Sequence, residues 1–214
     1  MLIPNWLTPK TIRAVCFDKH DNDATIQAYL PNSPCLLKQV HGHHVLKAPF
    51  NDGMIADGCY SKTPLTICAI KTADCLPIYL TSQDGAEIAL LHGGWRGLSQ
   101  NIIAQGVTCF SNPPQAIIAY LGPAISAPCY EISQAVYDAF CQVNPTLQNA
   151  FTLSRPYHYY ANLVQIAHTQ LQQQGVTIIY GGDLCTFSEP ERFYSYRRDA
   201  QNPGRLLHCL WIDP

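Results

Sequence analysis

Thr72-Ala73-Asp74-Cys75-Leu76-Pro77, then an apolar run, then Leu91-His92-Gly93-Gly94-Trp95-Arg96-Gly97-Leu98 is the stretch from which the rest of the chain is read. Two apolar runs, residues 65–70 and 87–91, predict buried strands. Each leads straight into reactive side chains: Asp74 and Cys75 after the first, His92 after the second. Strand ends and the loops after them are where a rigid scaffold presents chemistry. Gly93, Gly94 and Gly97 allow sharp turns and close backbone approach. A thiol, an imidazole, a carboxylate and a guanidinium in one such stretch point to a site rather than a core.

The 214 residues suit one large domain or two small ones, enough to bury a sizeable core. No Pro/Gly/Ser-rich linker divides residues 1–214, so a single domain is expected. Charged residues make up 13%, half of the roughly 25% usual in soluble domains. A net charge of −2 supplies no basic field for nucleic acid. The first seventeen residues have no charged segment followed by a long apolar one, and no run reaches the roughly 18 apolar residues of a membrane span. A cytoplasmic protein is expected, with no nucleic-acid or membrane partner. The 10 cysteines form no CxxC pair. In a reducing compartment most of them read as small buried hydrophobes, without disulfides.

Residues 13–17 and 35–40 predict strands, and Asn51-Asp52-Gly53 a turn. Residues 98–110 predict a helix that Pro113-Pro114 stops, followed by a buried strand over 116–121. That strand ends in Gly122-Pro123-Ala124, a loop reaching Cys129-Tyr130-Glu131. Further helices are expected over 131–143 and 161–174, the latter closed by Gly175, and a strand over 176–180. Residues 193–197 and 206–212 predict a hairpin around Asn202-Pro203-Gly204. Strands and helices mix without strict alternation, which favours an α+β fold with antiparallel or mixed sheets.

His41, Cys75 and His92 have zinc-ligand chemistry beside glycines or strand ends. Zinc accepts thiolate and imidazole together, and a catalytic zinc keeps a fourth position open. Their separations match no local finger pattern, so spacing alone carries little. A Cys75 nucleophile with His92 as base is the rival. A buried cysteine with two backbone-satisfied histidines is the plain alternative. His43 and His44 lie nearby, and consecutive strand positions face opposite ways, so at most one joins His41. Arg96, between Trp95 and Gly97, suits an anion such as phosphate, or else stacks on Trp95. Arg197-Arg198 is a second anion candidate, of which one must point away. Asp57 and Asp74 are placed to orient ligands or move protons, although Asp57 before Gly58 also suits a turn.

Together these motifs resemble one family. Its blocks correspond to Lys38-Gln39-Val40-His41-Gly42, Ala56-Asp57-Gly58, Thr72-Ala73-Asp74-Cys75-Leu76-Pro77 and His92-Gly93-Gly94-Trp95-Arg96-Gly97. They continue with Leu121-Gly122-Pro123-Ala124-Ile125, Gly182-Asp183-Leu184-Cys185-Thr186 and Phe193-Tyr194-Ser195-Tyr196-Arg197-Arg198-Asp199. The chain thereby resembles the bacterial YfiH-like proteins, once called laccase-domain or polyphenol oxidase proteins and now described as purine nucleoside phosphorylases with adenosine deaminase activity. The resemblance implies an α+β sandwich of packed mixed sheets with flanking helices. It implies a zinc site, copper being the alternative, on His41, Cys75 and His92. Asp74, Cys75 and His92 are then the catalytic candidates, and Asp57, Arg96, Arg197 and Arg198 the substrate-binding ones. The expected partners are a purine nucleoside and phosphate.

Other readings remain open at this point: a copper-dependent polyphenol oxidase, a quality-control factor in cell-wall precursor synthesis, a Cys–His hydrolase, or a non-catalytic module with structural zinc. The last needs a fourth ligand, for which Cys59 and Cys129 are candidates. Two departures from the family pattern stand out. The segment 18–34 is short and lacks a Gly-Gly loop and an Asn-Leu-Gly stretch, and Asn162 stands where the family often has aspartate.

Overall fold

The computed structural model describes residues 1–200 and 204–214. In chain order its first elements are β1 (Ile12–Phe17), α1 (Asp23–Tyr29), β2 (Cys35–Leu36), β3 (Val45–Lys47), β4 (Gly58–Ser61), β5 (Cys68–Thr72), β6 (Leu76–Ser82) and β7 (Ile88–Gly93). Then come α2 (Trp95–Ser99), α3 (Ile102–Val107), β8 (Ile117–Leu121), β9 (Glu131–Ser133) and α4 (Gln134–Cys141). The chain closes with β10 (Phe151–Arg155), β11 (His158–Ala161), α5 (Leu163–Gln173), β12 (Ile178–Gly181) and β13 (Leu206–Ile212).

β6, β7 and β8 are buried along their whole length, because each lies inside a six-stranded sheet covered on both faces. The sheet runs β12-β8-β6-β7-β4-β3 and is mixed, with parallel pairs at its two ends. Alternate side chains of a strand face opposite ways. Leu76, Ile78, Leu80, Ala89 and Leu91 therefore meet α3, α4 and α5 through Ile102, Ile103, Phe140, Leu163, Ile166 and Leu171. Tyr79, Ile88 and Leu90 face the other way, into a layer shared with Ile12, Cys68, Ile70, Leu210 and Ile212. Those residues belong to a four-stranded sheet, β1-β13-β5-β2. The result is the expected α+β sandwich of mixed sheets with helices outside. A small antiparallel sheet, β10-β11-β9, stands beside it.

Several expected elements differ in detail. The helix expected over 98–110 is two helices, broken where Asn101 takes a left-handed φ of 62°, a conformation asparagine tolerates. Residues 131–133 form β9 before α4 begins, because they pair with β11. The strand expected over 35–40 shrinks to β2, although Lys38 still bridges Ile55. Residues 193–197 form a loop rather than a hairpin arm, and β13 pairs instead with β1 and β5. Of the turn expected between them, Asn202 and Pro203 lie outside the described residues. The strands β10 and β11 and the helix α1 have no counterpart in the sequence reading. α1 is capped by Asn22 and has no buried residue, which is why periodicity missed it.

His208 on β13 sits at the centre of the sandwich, fully buried, between the hydroxyls of Thr72 and Tyr79 at 2.8 Å each. Burial, with a smaller push from His92, brings its pKa down from 6.5 to about 3. The unfolded chain takes up a proton near pH 6.5 and the folded chain does not, so this residue's stabilisation is complete above 6.5 and is lost as pH falls. Urea unfolding at pH 7.5 and pH 5 is expected to show a loss near 2 kcal/mol in the wild type beyond that in His208→Gln.

Candidate active site

The site lies at one end of the sandwich. β5 belongs to the four-stranded sheet and β6 to the six-stranded one, so Ala73-Asp74-Cys75 is the corner where the chain changes sheets. Asp74 makes that corner with a φ of 85°. β7 ends beside it, with Pro77 of β6 opposite His92. The segment after β2 runs along the end of β5: the Gln39 side-chain amide accepts from Lys71 N at 2.7 Å and donates to Lys71 O at 2.9 Å. That pairing carries His41 to the same edge. The ligand-type atoms of His41, Cys75 and His92 all lie within 4.8 Å of one another. Among the described residues they are the one such group of three or more His, Cys, Asp or Glu side chains.

Asp57 organises this group. It precedes β4, the neighbour of β7, and its carbonyl accepts from His92 N at 2.7 Å. Its carboxylate, with 0% exposure, accepts from the backbone N–H groups of Val40, His41 and Gly42 at 3.1, 2.8 and 2.7 Å. Successive N–H groups turned inward in this way form an anion-binding nest, and His41 takes a φ of 60° to complete it. The Asp57 carboxylate also meets His92 Nδ1 at 2.8 Å. A carboxylate only accepts, so Nδ1 carries the proton and Nε2 is the nitrogen left for a metal or for Cys75.

The electrostatics agree from all sides. Burial would raise Asp57, but His92 and the N–H groups of Gly42 and Val40 hold it below the usual carboxylate range. Burial would lower His92, yet Asp57 and then Cys75 lift it to about 9. Burial would raise the Cys75 thiol, yet hydrogen bonds from His41 and His92 bring it to about 7. Gly94 leaves the space above the group open: a Cβ there would stand 3.1 Å from His41 and 3.2 Å from Cys75. At Gly97 a Cβ would come within 2.6 Å of the Gly42 carbonyl oxygen, so only glycine lets α2 close over the His41 loop.

These three side chains open onto a cavity of about 630 Å³, within the span of roughly 300–1,000 Å³ usual for small-molecule sites. Asp74 lines it but is already committed, accepting from Thr186 Oγ1, Ser195 Oγ and Arg197 N at 2.7, 3.0 and 2.7 Å. Residues 193–197 are a loop for this reason: they wrap around Asp74. Arg96 lines the cavity and stacks on Trp95 at 4.4 Å, as the alternative to anion binding expected. No carboxylate or carbonyl among the described residues takes its donors. Arg197 also lines it, over the Tyr130 ring at 5.2 Å, with one nitrogen on Glu131 O.

Two expected substrate contacts are corrected. Arg198 faces away, and its fork is spent on Asp199, the carbonyls of Thr186 and Phe187, and Phe193 O. Asp57 is sealed behind the nest and orients His41 and His92 instead. Cys59 and Cys129 do not join the group either: Cys59 lies in the core against Leu90 O, and Cys129 meets Ser188. All ten cysteines are unpaired. The sequence reading missed Gln39, Lys71, Tyr130, Tyr196 and Arg205, which also line the cavity. None of residues 18–34 does. Asn162 caps α5 by accepting from Gln165 N, a task an amide performs as well as a carboxylate.

Fold and site together define an α+β sandwich protein with a thiolate–imidazole centre in a cationic cavity. A family described as multi-copper polyphenol oxidoreductase laccase matches residues 19–213, and the chain belongs to that family. It is 42% identical to the purine nucleoside phosphorylase YfiH of Escherichia coli K12 over 186 residues, covering 86% of this chain and 75% of that one. It is 34% identical to a purine nucleoside phosphorylase of Haemophilus influenzae, covering 98% of each chain. Its fold matches a crystal structure from Neisseria meningitidis with a TM-score of 0.93 at 31% identity, over 100% of this chain and 99% of that one. YlmD from Geobacillus stearothermophilus matches with a TM-score of 0.85 at 25% identity, over 96% and 93%.

The two arginines should separate in stability. Arg198→Ala removes five charged hydrogen bonds and is expected to cost at least about 2 kcal/mol in urea unfolding. Arg96→Ala breaks no such bond, and its midpoint is expected to stay close to that of the wild type.

Proposed function

We propose that this protein is a zinc-dependent purine nucleoside phosphorylase with adenosine deaminase activity at the same cavity. The observation that carries the reading is the convergence of His41, Cys75 and His92 with Arg96 and Arg197 on one cavity. The phosphorylase names of its relatives support it.

The donor set fits zinc. One low-pKa thiol and two imidazoles would make three ligands, Gly94 adds no side chain against His41 and Cys75, and Asp57 holds one imidazole in its metal-binding tautomer. Zinc would supply Lewis acidity there. A multicopper centre needs more histidines; His43 instead pairs with Gln100 at 2.8 Å, and His44 is absent from the group. Arg96 and Arg197, with Lys71 and Arg205 at the same cavity, give a strongly cationic lining whose single carboxylate, Asp74, is already engaged. Such a lining favours an ionised phosphate beside an uncharged ribose. Phosphate then attacks the ribose carbon, the bond to the base breaks, and its electron pair leaves with the purine. The arginines hold the attacking anion in place. Asp74 keeps Arg197 aimed at it by anchoring the loop. Deamination needs water but no phosphate.

A second reading draws on the chain Asp57–His92–Cys75, which also has the order of an acid–base–nucleophile set. It requires a metal-free Cys75 and predicts alkylation of that thiol in protein as purified.

Purified protein is expected to hold about one zinc per chain, and Cys75→Ala to lose it, because the thiolate is the soft, anionic ligand. Full zinc retention would remove Cys75 from the set. Since the thiol titrates at about 7 and His92 at about 9, zinc must displace protons. Chelator competition should therefore show affinity rising from pH 7 to 9.

Adenosine incubated with and without phosphate tests the reaction: adenine should appear only with phosphate. Arg96→Ala should raise the phosphate concentration needed and slow phosphorolysis several-fold to a few hundred-fold, about 1.5–3 kcal/mol. Ammonia release per bound zinc should change much less. Equal loss of both would make Arg96 a general organiser and leave Arg197 as the phosphate contact.

A further inference from the structure

Tyr130 follows a short turn over Ala127–Cys129 and immediately precedes β9. Its ring carries the Arg197 guanidinium on one face, 5.2 Å from the centroid. It packs against the same apolar cluster as Ile125 and Leu163, and all three line the cavity with His41, Cys75 and His92. Tyr60 donates to Glu87, Tyr79 meets His208 and Tyr159 donates to Gln134, whereas Tyr120 packs against Trp6 and Tyr79 and does not line the cavity. The Tyr130 hydroxyl has no hydrogen-bond partner among the described residues. A hydroxyl on a cavity-lining residue with no protein partner is available to something that enters the cavity.

We propose that Tyr130 is a further catalytic residue, whose hydroxyl donates a hydrogen bond to the purine base as it leaves the ribose. The proposal rests on the phosphorolysis reading above. In that reaction a bond forms from a phosphate oxygen to the ribose carbon, and the bond from that carbon to the base nitrogen breaks. The bond pair stays on the purine, which becomes more negative until it takes a proton from water in the open cavity. The arginines are occupied with phosphate, so the base needs its own donor. Ile125 and Leu163 add apolar surface to the cavity lining, and Tyr130 brings a phenol to the same lining. A phenol ordinarily loses its proton only near pH 10, and burial pushes Tyr130 higher still. It therefore keeps its proton and can donate throughout the working range. A donor aimed at charge that develops only in the transition state accelerates the chemical step more than it strengthens binding.

The test compares wild type and Tyr130→Phe, each with its zinc content and melting temperature measured. Adenosine and 7-methylguanosine serve as substrates with phosphate in excess. An N7-methylated base already carries positive charge and departs without needing a donor. For adenosine, Tyr130→Phe should lower kcat roughly ten- to a few hundred-fold, with the KM for phosphate unchanged. For 7-methylguanosine the deficit should shrink to within about threefold of wild type. Equal losses on both nucleosides, or none on either, would overturn the proposal. If the wild type releases no base from either nucleoside, the phosphorolysis reading falls first. Calorimetry of adenine binding then decides the contact itself: weaker binding by Tyr130→Phe supports it, and equal affinities overturn it.

Discussion

A carboxylate with no solvent exposure must be surrounded by donors, and Asp57 draws its donors from two separate parts of the chain. The nest of Val40, His41 and Gly42 comes from the segment after β2, and the imidazole of His92 from the end of β7. One buried charge thus fixes the distance between two ligand-bearing loops and the tautomer of one ligand. Its ionisation is secured by the contacts it organises, and their geometry by its ionisation. The left-handed backbone at His41 has a local cost on the order of 1–3 kcal/mol, and the nest offsets it.

Asp74 plays the matching part on the other side of the cavity. It sits beside Cys75 at the corner between sheets and gathers Thr186, Ser195 and the Arg197 backbone. Arg198 then locks the same loop from behind through the Thr186, Phe187 and Phe193 carbonyls. Neighbouring arginines thereby take opposite tasks: Arg197 faces the cavity and Arg198 holds the loop that presents it. One carboxylate orients the metal-type ligands and the other orients the cationic wall. Neither is free to approach a substrate without releasing what it holds.

Much of this was legible in the sequence because the strongest signals were continuous apolar runs. β5, β7, β8 and β13 are buried strands, and their ends carry Cys75 and His92 as the pattern of glycines and reactive residues indicated. The amphipathic α5 and its Gly175 stop were legible for the same reason. The edges were harder to read. β3, β9, β10 and β11 are short and half exposed, so their side chains carry little periodicity. The loop 193–197 reads as a strand by composition, yet a hydrogen-bonding demand from distant Asp74 overrides that preference. Which member of Arg197-Arg198 faces the cavity is likewise decided by carbonyls elsewhere in the fold. Lys71, Tyr130 and Arg205 carry no motif; only the three-dimensional closure of the cavity brings them in.

β13 lies between β1 and β5, in the middle of its sheet. It is also the last described strand in chain order. β5 runs directly into Asp74 and Cys75, so the corner that aims the thiol cannot be fixed until β13 has filled its slot. His41 hangs on the same strand through Gln39 and Lys71. The three ligand-type residues therefore come together only after synthesis of nearly the whole described chain. A chain cut before β13 would contain His41, Cys75 and His92 and still lack the strand that fixes the corner between them.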